Sequence, residues 1–186
     1  MKVIKMYIQE VDEQMTLRML TIRDAKPLFH LIDSSRAYLE EWLPWLNDSK
    51  TLADIENSIK NSFQTYANKQ ELRAGIFIDG TLVGILSFNE FDWRNNIGYV
   101  GYWLAEDHQS KGIMTKAVAA LIDYGFTELA LNRIDIRTAL DNKKSAAIPK
   151  RLGFKQEGHL RQAEWLYDHY VDHIVYGLLK NEWDSN

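Results

Sequence analysis

Gly101-Tyr102-Trp103-Leu104-Ala105-Glu106-Asp107-His108-Gln109-Ser110-Lys111-Gly112-Ile113-Met114-Thr115 is the stretch on which the reading of this chain turns. It closes the strand-like run Ile97 to Leu104 and opens a long apolar segment, Lys111 to Leu129, of helical length. The polar turn Gln109 to Met114 therefore joins the end of a strand to the start of a helix. Such a turn suits an anion: the first N–H groups of a helix lack intrahelical acceptors, the helix dipole favours negative charge, and a glycine lets the backbone approach a phosphate closely. Lys111 adds a full positive charge. Taken by itself, a single glycine at a helix start is more often ordinary than functional. The turn is not a Walker loop, and the chain carries no Gly-x-Gly-x-x-Gly fingerprint.

Working upstream, Ala74 to Ile78 and Leu82 to Phe88 are β-type runs joined by Asp79-Gly80, which supplies the positive φ angles of a tight hairpin. With Ile97 to Leu104, reached through the polar loop Asp92 to Asn96, they predict an antiparallel meander. Thr51 followed by Asp54 opens a helix whose stripe is Leu52, Ile55, Ile59, Phe63 and Tyr66. Tyr38 to Leu46 reads as a short amphipathic helix interrupted by Pro44. Asp24 is placed to cap a helix carrying Ala25, Leu28, Phe29 and Ile32, and Met15 to Leu20 alternates as a strand does.

Downstream, the helix from Lys111 is apolar nearly all round except a stripe at Lys116, Ala120, Asp123 and Thr127. Arg133 to Ala139 is a strand with Ile134 and Ile136 on one face. A helix from about Asn142 to Leu152 ends at Gly153, and Phe154 to Leu166 and His169 to Leu179 are two further strands. The order predicts an α/β fold: a single mixed, mostly antiparallel sheet flanked by helices.

The chain has 186 residues, the size of one domain, and we read residues 1–186 as a single unit. With 22 Lys+Arg against 26 Asp+Glu, the net charge is 22 − 26 = −4, which disfavours a dedicated nucleic-acid binder. The absence of cysteine excludes disulfides, thiolate zinc sites, iron–sulfur clusters and cysteine nucleophiles. No stretch approaches the ~20 apolar residues of a membrane span, and Met1 to Glu10 lacks the apolar core of a signal peptide, so a cytoplasmic location is expected. His169 and His173 share a strand face about 13 Å apart and form no metal set; no metal is expected.

The turn resembles the Gln/Arg-x-x-Gly-x-Gly/Ala motif of the GNAT superfamily of acetyl-coenzyme A-dependent N-acyltransferases. The neighbouring elements match in order: the strand Ile97 to Leu104 before it, then Asn142-Lys143-Lys144-Ser145 and Leu152-Gly153-Phe154 after the next strand. Gly101 to Leu104, His108 to Thr115, Gln162-Ala163-Glu164 and Trp42-Leu43-Pro44-Trp45 together are similar to the RimL/RimJ-type branch, whose members acetylate protein amino termini, notably of ribosomal proteins. The likeness runs from about Thr16 to Trp183 and implies the GNAT acyl-CoA N-acyltransferase fold.

The resemblance implies roles residue by residue. Acetyl-CoA is the co-substrate, its pyrophosphate held by the amides of Gln109, Ser110, Lys111, Gly112, Ile113, Met114 and Thr115. Met114 departs from the family's small third residue, which is tolerable because the contact is through backbone and the side chain faces the core. The backbone of Tyr102, Trp103 and Leu104 pairs with the pantetheine arm and lends an N–H to the developing oxyanion, a donor typically worth ~3 kcal/mol. Asn142 touches the pantetheine while capping its helix. Glu164 is the general base through water, Ser145 the acid that protonates the departing thiolate, and Trp42 and Trp45 line the acceptor cleft. Tyr99 stands where many members of the superfamily carry a glutamate, and with an ordinary phenol it is no neutral-pH base.

Plain alternatives accompany these assignments: Glu164 as a solvated strand-end carboxylate, Ser145 bonding its own helix, the tryptophans as core, and Lys143, Lys144, Lys150 and Arg151 as a solvated basic face rather than a phosphate site. Pro149 removes the N–H that would reach the Ser145 carbonyl, so a local bend is expected there. The reaction requires a neutral amine, which an α-amino group of pKa ~8 supplies readily while a lysine at ~10.4 needs about 4 kcal/mol more help. The expected activity is transfer of an acetyl group from acetyl-CoA to a primary amine, above all a protein N-terminus. A polyamine or antibiotic acetyltransferase, with an acidic, narrower cleft, and a non-catalytic acyl-CoA sensor are the alternatives. The sequence leaves a homo-oligomer open.

Overall fold

Asp79 and Gly80 take φ of 48° and 77°, so the turn between β3 (Leu72–Ile78) and β4 (Thr81–Asp92) twists in the sense its two strands require. In this computed structural model, which describes residues 6–184, β5 (Ile97–Leu104) completes the meander. The sheet is eight-stranded, in the order β1-β2-β3-β4-β5-β6-β8-β7. Its other members are β1 (Ile8–Glu10), β2 (Met15–Arg18), β6 (Arg133–Ala139), β7 (Lys155–Leu166) and β8 (His169–Leu179). Every adjacent pair is antiparallel except β5 and β6. The expected single mixed sheet is present; β1 was not read from the sequence, and of the stretch Met1 to Glu10 residues 1–5 lie outside the described residues.

The parallel pair positions the site. Its ladder runs only from Ile97 opposite Arg133 to Val100 opposite Ile136, yet β5 continues to Leu104 and β6 to Ala139. Beyond Val100 the two strands part, and the sheet opens into a cleft. The link between them is α4 (Ile113–Thr127), which lays Met114, Ala117, Val118, Leu121, Ile122 and Phe126 against Leu86, Phe88, Val100, Ile134 and Ile136 in one core. Ala120, expected on the polar stripe of this helix, is buried, because the β1 end of the sheet covers it: the Gln9 side-chain amide donates to the Ala120 carbonyl at 3.3 Å, and Tyr7 meets Tyr124 edge-on.

On the opposite face α1 (Ala25–Ser34) and α3 (Leu52–Ala67) bury Leu28, Ile32, Ile55 and Ile59 against Leu20, Phe77, Leu82 and Ile85. The Thr51–Asp54 capping box forms as expected. Asp24 does not cap α1 with its side chain. Its carboxylate instead accepts from the Thr21 N–H and pairs with Arg18 at 2.8 Å. The segment Tyr38 to Leu46 is not one interrupted helix. It divides into α2 (Arg36–Leu39) and a 3-10 turn, Pro44–Asp48, that begins at the proline, because a residue with fixed φ and no N–H starts a helical turn more readily than it sits inside one. Two helices complete the described chain, α5 (Lys143–Arg151) and α6 (Lys180–Trp183).

Candidate active site

Gly112 is the residue before α4 and has φ of 75°; a Cβ placed there would meet nothing within 4 Å, so the turn is open to solvent. The first intrahelical bond runs from the Lys116 N–H to the Gly112 carbonyl. The N–H groups of Ile113, Met114 and Thr115 precede it and are the donors a helix start leaves outward. Met114 itself is buried, which explains how a long side chain fits at that position. The cavity wall beside the turn includes Tyr102, Trp103, Leu104, Gln109, Ser110, Gly112, Ile113, Met114, Thr115, Asn142 and Ser145.

Lys111 is the one residue of the expected set that this wall leaves out. Its ammonium donates back to the Asp107 carbonyl at 2.8 Å, a local bond that draws the charge off the cavity. Positive charge comes from α5 instead: Lys144 donates to the Gln109 side-chain oxygen at 3.2 Å and lies over the Tyr38 ring, and Arg151 donates to the Thr115 hydroxyl. Of the basic cluster Lys143, Lys144, Lys150 and Arg151, only Lys144 and Arg151 line the cavity; Lys143 turns to the Leu140 carbonyl.

Asn142 caps α5 by accepting from the Ser145 N–H at 3.0 Å, which brings Ser145 into the first turn facing the cleft. The Ser145 side chain is hydrogen-bonded with the Tyr102 phenol, a partner outside its own helix. The Ser145 carbonyl, which Pro149 cannot serve, accepts from the Tyr102 hydroxyl at 2.9 Å. Burial pushes the Tyr102 phenol well above the ordinary tyrosine range. Tyr124 is likewise pushed up by burial, to about 12, and packs among Tyr7 and the core; it lies outside the cleft walls.

The far side of the cleft is larger, about 1280 Å³, and is walled by Trp42, Trp45, Ser87, Glu90, Tyr99, Arg137, Glu164 and His173 among others. Tyr102, Trp103, Asn142 and Ser145 border both sides, which puts the Ser145 hydroxyl at the junction. Trp45 stands 6.4 Å from Trp103, ring to ring, and is about a third exposed; both tryptophans of the expected acceptor wall are therefore on it. Tyr99 lies under the Arg137 guanidinium at 5.5 Å. Glu164 is not a free strand-end carboxylate: its Oε2 meets His173 Nε2 at 3.0 Å. Sequence reasoning missed the Tyr102 hydroxyl and His173. Pro149 was the available signal for the first, since it leaves a carbonyl without a donor; the second depends on strand register.

A family model described as an acetyltransferase (GNAT) domain matches residues 14–155. The chain is 32% identical over 170 residues to the ribosomal-protein-serine acetyltransferase of Escherichia coli (strain K12), covering 91% of this chain and 95% of that one. It is 37% identical over 182 residues to YdaF of Bacillus subtilis (strain 168), a candidate ribosomal N-acetyltransferase, covering 97% and 99%. Among solved structures, RimL, the ribosomal L7/L12 alpha-N-protein acetyltransferase in complex with coenzyme A, is similar with a TM-score of 0.91 at 27% identity, covering 95% of this chain and 99% of that one.

Proposed function

The chain belongs to the GNAT acetyltransferase family, and from that premise we propose that its acceptor is the free amino terminus of a protein, of the ribosomal type its relatives are named for. As an acetyl-CoA-dependent N-acetyltransferase it draws its activated acetyl group from a thioester. The chain supplies the rest. The outward amides at Ile113 to Thr115, with Lys144 and Arg151 beside them, hold the phosphates. An N–H on the free edge of β5, beyond its last pair with β6, supports the charge that develops on the carbonyl oxygen. Glu164 removes a proton from the acceptor nitrogen, the C–N bond forms as the C–S bond breaks, and the Ser145 hydroxyl returns a proton to the sulfur.

The observation that carries the peptide reading is the breadth and charge of the acceptor side. About 1280 Å³ exceeds the ~300–1000 Å³ of ordinary small-molecule pockets. Its carboxylates are largely engaged: Asp54 by Thr51, Glu71 by Arg73, Asp135 by Arg133, while Arg73 and Arg137 also stand on its wall. A polyamine site calls for a narrow cleft with free acidic groups. Among the described residues no helix is long and apolar enough to cross a membrane, and a cytoplasmic site of action, where new protein amino termini are presented, belongs to the same proposal.

Release of thiol from acetyl-CoA, measured with a panel of short peptides, polyamines and aminoglycosides, tests it. Faster release with free-amino-terminal peptides than with spermidine supports the reading; the opposite ranking overturns it, and release without any acceptor dependence would point to a sensor. Glu164→Gln slows the peptide reaction by at least tenfold if the carboxylate is the base.

A further inference from the structure

The β7–β8 ladder is interrupted where the acceptor side needs it. Leu160 opposes His173 and Glu164 opposes Val171, so β7 advances four residues while β8 advances two, and Gln162 sits at φ of 50° in the bulge. In an unbroken ladder Glu164 would oppose His169, about 13 Å along β8 from His173. The bulge draws it two residues closer and lets His173 Nε2 reach Glu164 Oε2 at 3.0 Å.

The bulge is itself fastened. Asp172 Oδ1 accepts from the Gln162 N–H at 2.7 Å, and Oδ2 meets His159 Nε2 at 2.7 Å. Successive strand residues point to opposite faces, so Asp172 and His173 grip β7 from its two sides, one holding the bulge and the other the carboxylate. The His173 side chain is 17% exposed against 37% for Glu164; both stand on the cleft wall, the ring the more packed and the carboxylate the more exposed.

We propose that His173 is a positioning residue for the acetyl transfer: with its proton on Nε2 it donates to Glu164 Oε2, fixes the carboxylate's orientation, and leaves Oε1 facing the acceptor nitrogen. The inference rests on Glu164 being the base. Displacement of a reacting group by about 1 Å can cost on the order of 10²-fold in rate, and the loss of one anchor on a long side chain is expected to cost about tenfold.

Steady-state kinetics with a peptide acceptor, on the wild type, His173→Ala, His173→Gln, Glu164→Gln and the Glu164→Gln/His173→Ala double variant, test this. His173→Ala should lower kcat about tenfold with KM for acetyl-CoA within twofold, and His173→Gln, which keeps a donor at similar reach, should restore most of the rate. In the Glu164→Gln background His173→Ala should change kcat by less than twofold, since the ring acts through the carboxylate. An equal tenfold loss in both backgrounds would make the role merely structural and overturn the proposal. So would a normal kcat in His173→Ala while Glu164→Gln is slow, an outcome that spares Glu164 as the base. An unchanged rate in Glu164→Gln overturns both readings. If His173→Ala fails to fold, His173→Gln decides alone: near-normal kcat supports the proposal and a tenfold loss overturns it.

Discussion

Ser145 and Pro149 stand one helical turn apart in α5, and the hydrogen bond that would normally join them is impossible because proline has no N–H. The Ser145 carbonyl takes its hydrogen from outside the helix, from the Tyr102 hydroxyl on β5. Beyond Val100, where β5 and β6 part, β5 is thus tied by a side chain to α5, the helix that follows β6, at the mouth of the cleft. The proline, whose presence in a helix the sequence left unexplained, has its counterpart in a tyrosine 47 residues earlier in the chain.

Tyr102→Phe removes that donor and leaves a carbonyl without a partner. The expected cost is about 1–2 kcal/mol of unfolding free energy, the range for one unsatisfied polar group, together with a lower kcat because the first turn of α5 carries the Ser145 hydroxyl. Urea denaturation followed by fluorescence, alongside thiol-release kinetics, reads both. No change in either would mean that the bond does nothing for the fold or the site.

Pairing that change with Pro149→Ala isolates the reason for the bond. An alanine at the position restores an N–H that can serve the Ser145 carbonyl from within the helix, so Tyr102→Phe should cost markedly less in that background. A coupling of about 1 kcal/mol between the two substitutions is expected, within the range for residues sharing one partner. Strict additivity in the denaturation midpoints would contradict the account.

The Arg18–Asp24 pair anchors the start of α1 to β2. Burial alone would raise the Asp24 carboxyl, but the Arg18 guanidinium and the Thr21 N–H and hydroxyl together hold it below the usual value of 3.8. A carboxyl depressed on folding adds stability that is fully present above its unfolded pKa and is lost as pH falls through the lower folded value. Asp24→Asn should therefore destabilise the protein by roughly 1–3 kcal/mol at pH 7, with the gap to the wild type closing as pH falls below about 4. A gap that widened with acid would reverse the sign of the argument.

Features that are local in the chain were legible and features made by register were not. Asp79-Gly80, Thr51 with Asp54, and the strand–turn–helix passage through Gly112 each declare themselves within a few residues, because turn geometry and capping depend on nearby side chains. The roles of Glu164 and Ser145 came through likeness to a family, not from spacing. What makes Glu164 more than an exposed strand residue is a bulge that no period reveals, and the cleft arises where a parallel ladder stops at Val100, a matter of how far two distant strands stay together. The Lys111 side chain shows the same limit: its ammonium donates to the Asp107 carbonyl, a contact that the motif's spacing does not reveal.

Gly80 and Gly112 offer a matched pair for testing the anion turn. Both have positive φ, 77° and 75°, and a Cβ at either meets nothing within 4 Å, so replacement by alanine costs mainly backbone strain of about 1 kcal/mol in each case. For a chain of this size that lowers Tm by roughly 2–4 °C. Coenzyme A at about 100 times its Kd should stabilise the wild type by ~2.7 kcal/mol, or roughly 5–11 °C. Gly80→Ala, far from the turn, should keep that gain in full on its lowered baseline. Gly112→Ala puts a methyl group where the phosphates must approach the backbone, and at the same coenzyme concentration it should lose most of the gain. Equal gains in the two variants would mean that the amides around residue 112 are not where the ligand binds.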